Sequence, residues 1–328
     1  MSQDGLSESF SKLNTSETSS NSPEGKDNDS TPVTKAGKEN RRAVEKVSIQ
    51  DRIKRLTKDP EQNILFVIQE ACKETFERKD FNTALQSIKA SFYIRDYIAI
   101  FTVPDNLPVY TAAYIPGRSL CYYEIFRSHP QLVRLLSKDT KMYLPGSGSG
   151  SELVGISAAM LHASPARQQV ELIMQDIGDW NGVLNSLESS IRHQWKLDEQ
   201  QLKCSYEQGD VLDASPRRDQ LIQEADLITF MFVMNELFVN KSKAMALVQS
   251  LVKNMKKGAY LLVVDSAGSF SHLKVGGQTY MIYFLLDAIK SLEKVIGEDS
   301  KWYRYPEHLR YPLDIQNMRY FLRLYKKL

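Results

Sequence analysis

The chain has 328 residues, 42% of them hydrophobic and 25% charged, enough to bury one sizeable core with an appendage. A net charge of +2 excludes attraction of a polyanion by the overall field, so nucleic-acid affinity would have to come from local clustering. No apolar run is long enough to span a bilayer and "MSQDGLSESF" lacks the form of a secretory signal, which predicts an intracellular protein with no membrane partner. Cys72, Cys121 and Cys204 have no CxxC spacing and the five histidines are isolated, so neither a disulfide framework nor a metal site is expected.

Residues 1–47 are Ser, Thr, Asn, Asp, Lys and Gly with scarcely a large apolar side chain, and are expected to be disordered. Over 35–58, nine basic residues face three acidic ones. Such an arm reads either as a phosphate-binding or nuclear-import segment or as a solvated tail. From 48 to 138 apolar residues recur at three and four, as in Ile64, Leu65, Ile68, Cys72 and Phe76, which predicts a helical extension punctuated by prolines. From 139 to 328 short apolar runs alternate with helical ones: strand 141–144, helix 151–163, strand 170–175, helix 182–195, strand 203–207, strand 226–234, helix 241–255 and strand 259–264. That alternation predicts a doubly wound α/β sheet. A helix over Thr279 to about Ile296, an irregular "KWYRYPEHLRYP" and a strand at 318–325 complete the chain.

The turn "YLPGSGSGSEL" joins the first of these strands to the first helix. A strand passing through Gly146, Gly148 and Gly150 into a helix presents unpartnered N–H groups and lets a ligand approach the backbone. That junction is where doubly wound folds bind nucleotides. Ser151 replaces the third glycine of the dinucleotide fingerprint and no GK[ST] follows, so an adenosyl ligand without a diphosphate is favoured. Asp176 in "QDIGDW" and Asp210 in "GDVLD" follow later strands, where a carboxylate can accept from ribose hydroxyls. Each could instead be a loop acid or a helix cap. Trp180 could flank an adenine or belong to the core.

"YLPGSGSGSE", "QDIGDW", "GDVLD" and "FMFVMNELF" together resemble the strand-end motifs of class I S-adenosylmethionine-dependent methyltransferases. "PGSGSGSEL" most resembles the fungal nucleolar enzymes that methylate N3 of a uridine in 25S ribosomal RNA. The resemblance covers about residues 140–328. It implies a Rossmann-like seven-stranded sheet and S-adenosyl-L-methionine held by Pro145, Gly146, Ser147, Gly148, Gly150, Asp176, Asp210 and Asn235. It also implies a monomer acting on ribosomal RNA or a pre-ribosomal particle in the nucleus or nucleolus, with the cytoplasm as the alternative. The family often carries an acid two residues before the first glycine; Leu144 stands there, and Glu152 is a possible substitute.

Methyl transfer needs alignment and exclusion of water more than a nucleophilic side chain. Uridine N3 must also lose a proton, for which Glu236 and Asp265 are candidate acceptors, with Asn235 near the transferred methyl. Lys301, Trp302, Arg304, Tyr305 and Arg310 interleave cations with aromatic faces and are candidate RNA contacts; a loop covering the last strand would look alike. Protein or small-molecule methylation and a non-catalytic ribosome-assembly adaptor are the alternative functions, with a dehydrogenase behind them.

Overall fold

The computed structural model describes residues 58–163, 169–268, 272–275 and 278–328. The expected disordered tail 1–47 and all but the last residue of the basic arm lie outside these.

Six helices come first: α1 Pro60–Ala71, α2 Lys73–Phe76, α3 Phe81–Ile94, α4 Tyr97–Phe101, α5 Asn106–Ser128 and α6 Pro130–Leu136. Asp59 caps α1 by accepting from the N–H of Gln62 at 3.1 Å, with Pro60 in the first turn where no N–H is needed. The alternating part follows as β1 Thr140–Pro145, α7 Ser151–Met160, β2 Val170–Asp176, α8 Asn181–Trp195, β3 Leu202–Gln208, α9 Pro216–Glu224, β4 Leu227–Met231, α10 Met234–Leu237, α11 Lys241–Asn254 and β5 Tyr260–Ser266. The chain ends with a hairpin of β6 His272–Val275 and β7 Gln278–Met281, then α12 Ile282–Asp287, β8 Leu292–Tyr303 and β9 Met318–Lys327.

The main sheet has the order β3-β2-β1-β4-β5-β9-β8, with every strand parallel except β9, which pairs antiparallel with both β5 and β8. The order reverses between β1 and β4, so a crevice opens at their carboxyl ends. The central strand β4, "LITFM", is buried along its whole length, as a parallel strand covered on both faces must be. Alternate residues divide between two apolar clusters. Met142, Leu172 and Leu262 face α1, α5, α7 and α8, whereas Tyr143, Ile173, Ile228 and Val263 face α9, α11 and α12. The N-terminal helices therefore share the core of one sheet face. Of the cysteines, Cys72 and Cys121 are buried and Cys204 is half-buried.

Two parts of the sequence reading change. The helix expected over Thr279–Ile296 is three elements, β7, α12 and β8, and β8 runs on through Lys301–Tyr303 into the stretch expected to be irregular. Its Leu, Lys and Glu content favours a helix locally, but pairing with β9, from Leu292 opposite Lys327 to Tyr303 opposite Met318, overrides that preference. Helix α9 was absent from the sequence reading although its start is marked: Ser215 accepts from the N–H of Arg218 at 3.1 Å and Pro216 follows it.

Candidate active site

A cavity of about 330 Å³ lies at the carboxyl ends of β1 to β4. Its floor is the glycine turn, through Gly146 and Ser149, and its walls are the ends of β2 and β3. Above it stand α4 and α5 of the N-terminal helices, contributing Tyr97, Phe101, Tyr110 and Arg118. Helix α5 is fastened over the turn by side chains donating to carbonyls: Thr111 Oγ1 to Ser149 at 3.4 Å, Ser119 Oγ to Ser151 at 3.2 Å, and Tyr122 Oη to Met231 at 3.4 Å. Of the three non-glycine residues in left-handed conformation among the described residues, Arg95 (φ 59°) and Phe232 (φ 58°) also line this cavity. A strained backbone of that kind costs about 1–3 kcal/mol and persists where the surroundings hold it.

The missing side chains of the turn are filled by the protein itself. A Cβ on Gly146 (φ 73°) would lie 2.5 Å from Val233 Cγ2, one on Gly148 would lie 2.0 Å from Trp180 Cδ1, and one on Gly150 (φ 87°) would lie 2.3 Å from Leu187 Cδ1. Pro145 ends β1, and Ser147 is fully buried with its hydroxyl donating to the carbonyl of Leu144 at 2.5 Å. Asp176 closes the turn by accepting from the N–H of Gly148 at 3.0 Å and of Gly178 at 3.4 Å, and it also faces the cavity. Asp210 accepts from the N–H of Leu212 at 2.8 Å and lines the same wall. Between these two acids the wall is apolar, with Ile177, Trp180 and Val211.

The end of β4 brings Asn235, Glu236 and Asp265 together and separates their parts. Glu236 is in the cavity wall, but Asn235 and Asp265 are not. Asp265, 1% exposed, accepts from Asn235 Nδ2 at 2.7 Å and from the N–H of Ser266 at 2.7 Å. Burial pushes the Asp265 carboxyl up to about 6 against those donated hydrogen bonds. Burial pushes the Glu236 carboxyl up to about 8; Arg118 opposes the rise, and the neighbouring Asp176 and Asp265 add to it. Asp176 is also raised by burial, opposed by the N–H groups donated to it.

Glu152, in the first turn of α7, is 2% exposed; burial pushes its carboxyl up to about 8 and one of its oxygens has no partner among the described residues. An acid held neutral by the fold weakens the protein as the pH rises. From the ordinary carboxylate pKa of about 4.5 up to about 8 the unfolded chain has lost the proton that the folded one keeps. Glu152→Gln is therefore expected to leave thermal stability nearly unchanged at pH 5 and to raise the melting temperature by a few degrees at pH 8.5. Scanning calorimetry at the two pH values checks this, and an equal effect at both would contradict it.

The interleaved stretch at 301–311 lies at the same end of the sheet but away from the cavity. Lys301 and Trp302 lie in β8, paired with Tyr320 and Arg319 of β9, and β8 is three places from β4, roughly 14 Å at the usual strand spacing. Trp302 is 51% exposed, with the guanidinium of Arg304 at 5.3 Å and that of Arg319 at 6.0 Å from its ring centre. Tyr305 is half-buried against the core, and the backbone N–H of Arg310 donates to Gln62 at 2.8 Å. Sequence reasoning missed Tyr97, Tyr110, Arg118 and Phe232. The signal for Arg118 was a single cation inside the apolar helical run "YIPGRSLCYY".

The residues suit S-adenosylmethionine. Two strand-end acids, Asp176 and Asp210, flank an apolar slot of Ile177, Trp180 and Val211 suited to an adenosine. A glycine-turn crevice on a sheet of this order defines a class I, Rossmann-type methyltransferase. The chain belongs to the family described as "Putative SAM-dependent methyltransferase", whose profile matches residues 68–326. S-adenosylmethionine is thereby its cofactor. It is 28% identical over 291 residues to the "25S rRNA (uridine(2843)-N(3))-methyltransferase" of Saccharomyces cerevisiae, covering 76% of this chain and 79% of that protein. Solved structures similar to it include a SAM-dependent methyltransferase from Methanosarcina mazei (13% identity, 61% of this chain and 98% of that one, TM-score 0.40). Another is the N-methyltransferase NodS from Bradyrhizobium japonicum in complex with S-adenosyl-L-homocysteine (13% identity, 67% and 96%, TM-score 0.38).

Proposed function

We propose that this protein methylates N3 of a uridine in large-subunit ribosomal RNA, free or within a pre-ribosomal particle, in the nucleus or nucleolus. The observation that carries this reading is the similarity to the yeast uridine-N3 enzyme over 76% of the chain. The cavity chemistry agrees with it. Uridine N3 bears a proton and lies on the pairing edge, so the base has to be splayed out of a stack and deprotonated. Glu236 is the acid that faces the cavity, and a carboxyl raised to about 8 holds a proton far more firmly than an ordinary one.

S-adenosylmethionine, when bound, supplies an electrophilic methyl on a sulfonium centre. Gly146, Ser149, Asp176 and Asp210, which line the crevice, would hold the cofactor there. Glu236, in its ionised form, takes the N3 proton. Asp265 fixes the amide of Asn235 through its hydrogen bond and so keeps Asn235 and its neighbour Glu236 in place. Helices α4 and α5 cover the crevice and keep water from it. At the mouth, Ile98 (59% exposed) and Val239 (68% exposed) offer an apolar rim for a splayed base, with Arg95 beside them.

The test is mass-spectrometric quantification of 3-methyluridine in digested large-subunit RNA from cells with the protein, without it, and carrying Gly148→Arg. An arginine there would have to displace Trp180 from the turn. Loss of about one 3-methyluridine per RNA in both altered strains is expected; an unchanged level in both overturns the uridine assignment and turns attention to other acceptors.

A further inference from the structure

We propose that the guanidinium of Arg118, on α5, receives the α-carboxylate of S-adenosylmethionine, so that the N-terminal helices form part of the cofactor site. This rests on the cofactor alone and holds whatever the acceptor is.

Arg118 lines the cavity from α5, the helix that Thr111 and Ser119 tie to the glycine turn. A guanidinium carries five N–H donors. Among the described residues Arg118 uses one of its nitrogens, donating from Nη1 to the phenol oxygen of Tyr110 at 2.5 Å, and forms no ion pair. Its head is flanked by the rings of Tyr110 and Phe232, with centroids 5.6 and 5.8 Å away. The group is thus held in one place by aromatic faces, which attract a cation without neutralising it. Arg118 is half-buried in the cavity lining, so its unused donors are open to a ligand anion.

Of the other cations of the wall, Lys243 pairs with Asp213 at 2.7 Å, and Arg95 stands exposed at the mouth, outside the aromatic setting that fixes Arg118. The cofactor carries positive charge on its sulfonium and ammonium groups and negative charge only on its carboxylate. The acids of the wall, Asp176, Asp210 and Glu236, cannot receive that group, whereas a planar guanidinium matches a carboxylate in two parallel hydrogen bonds. Leu144, two residues before the first glycine, is fully buried and offers no polar side chain to the amino-acid end of the cofactor.

Titration calorimetry of the full-length protein with S-adenosylhomocysteine and with 5′-methylthioadenosine, which lacks the amino-acid end, tests this. Arg118→Met, which keeps an unbranched side chain between the two rings, is expected to weaken S-adenosylhomocysteine by about ten- to a hundredfold and to leave methylthioadenosine within about twofold. Arg118→Lys should fall between Met and wild type for the first ligand only. An equal loss for both ligands would show that Arg118 only props the cavity, and no loss for either would show that it does not meet the cofactor; both outcomes overturn the proposal. Should Arg118→Met fail to fold, as judged by circular dichroism, the decision passes to Arg118→Lys and to wild type at rising salt. There the preference for S-adenosylhomocysteine over methylthioadenosine must shrink if a charge pair supplies it.

Discussion

Glu236→Gln is expected to slow methyl transfer to large-subunit RNA by about 10²- to 10⁴-fold, the range lost when a positioned general base is removed. The substitution is nearly isosteric and Glu236 is an ordinary part of the short helix α10, so S-adenosylhomocysteine affinity should change little. The pH profile gives the sharper reading. Because the carboxyl is raised to about 8, only the fraction ionised can take a proton, and that fraction grows about tenfold per pH unit below 8. The wild-type rate should therefore rise with pH through this range and level off above it, while the Gln variant should lose that dependence. Single-turnover rates between pH 6 and 9 check both points. If Glu236→Gln kept the wild-type rate and slope, the proton would be leaving by another route, and Asp265, raised to about 6, would be the next residue to test.

The second large effect belongs to the glycine turn. Gly146→Ala is expected to destabilise the protein by about 2–5 kcal/mol and to abolish cofactor binding. Two independent costs combine: a side chain at φ 73° is strained by about 1–2 kcal/mol, and a Cβ 2.5 Å from Val233 Cγ2 overpacks a buried contact by about 1–3 kcal/mol. Val233→Ala removes the two Cγ atoms at 2.5 and 3.3 Å, leaves Cβ at 3.0 Å, and cannot relieve the backbone. The double variant should therefore be more stable than the sum of the single changes by roughly 1–3 kcal/mol. Urea denaturation of the four proteins measures this coupling. Strict additivity would show that Val233 moves aside freely and that the turn tolerates a side chain there.

The order of local elements was legible in the sequence because it rests on short-range periodicity. The strand at 141–144 extends to Thr140–Pro145, the helix at 182–195 begins one residue earlier at Asn181, and the glycines stand at the junction between β1 and α7. The turn "YLPGSGSGSEL" and the strand-end acids Asp176 and Asp210 could be picked out because a glycine pattern and a terminal carboxylate are visible within a few residues. The strand β8 was not legible, since "SLEKVI" prefers a helix when alone and becomes extended only by pairing with β9, which lies later in the chain.

What the glycines accommodate was likewise beyond local reading. Spacing pointed to a ligand, whereas Val233, Trp180 and Leu187, from elements 30 to 90 residues away, occupy the space each absent Cβ would take. Nor could sequence order separate Glu236 in the cavity wall from Asp265 behind Asn235, or bring Arg118 over a turn some thirty residues further on. By itself, the sequence determined which segments become strands and helices over most of the alternating part, and where the cofactor turn lies. Only the tertiary structure decided which side chains share the cavity, because that depends on α5 packing across α7 and on the reversal of strand order between β1 and β4. Periodicity reports what each residue does to its neighbours along the chain, and burial and pKa are set by neighbours in space.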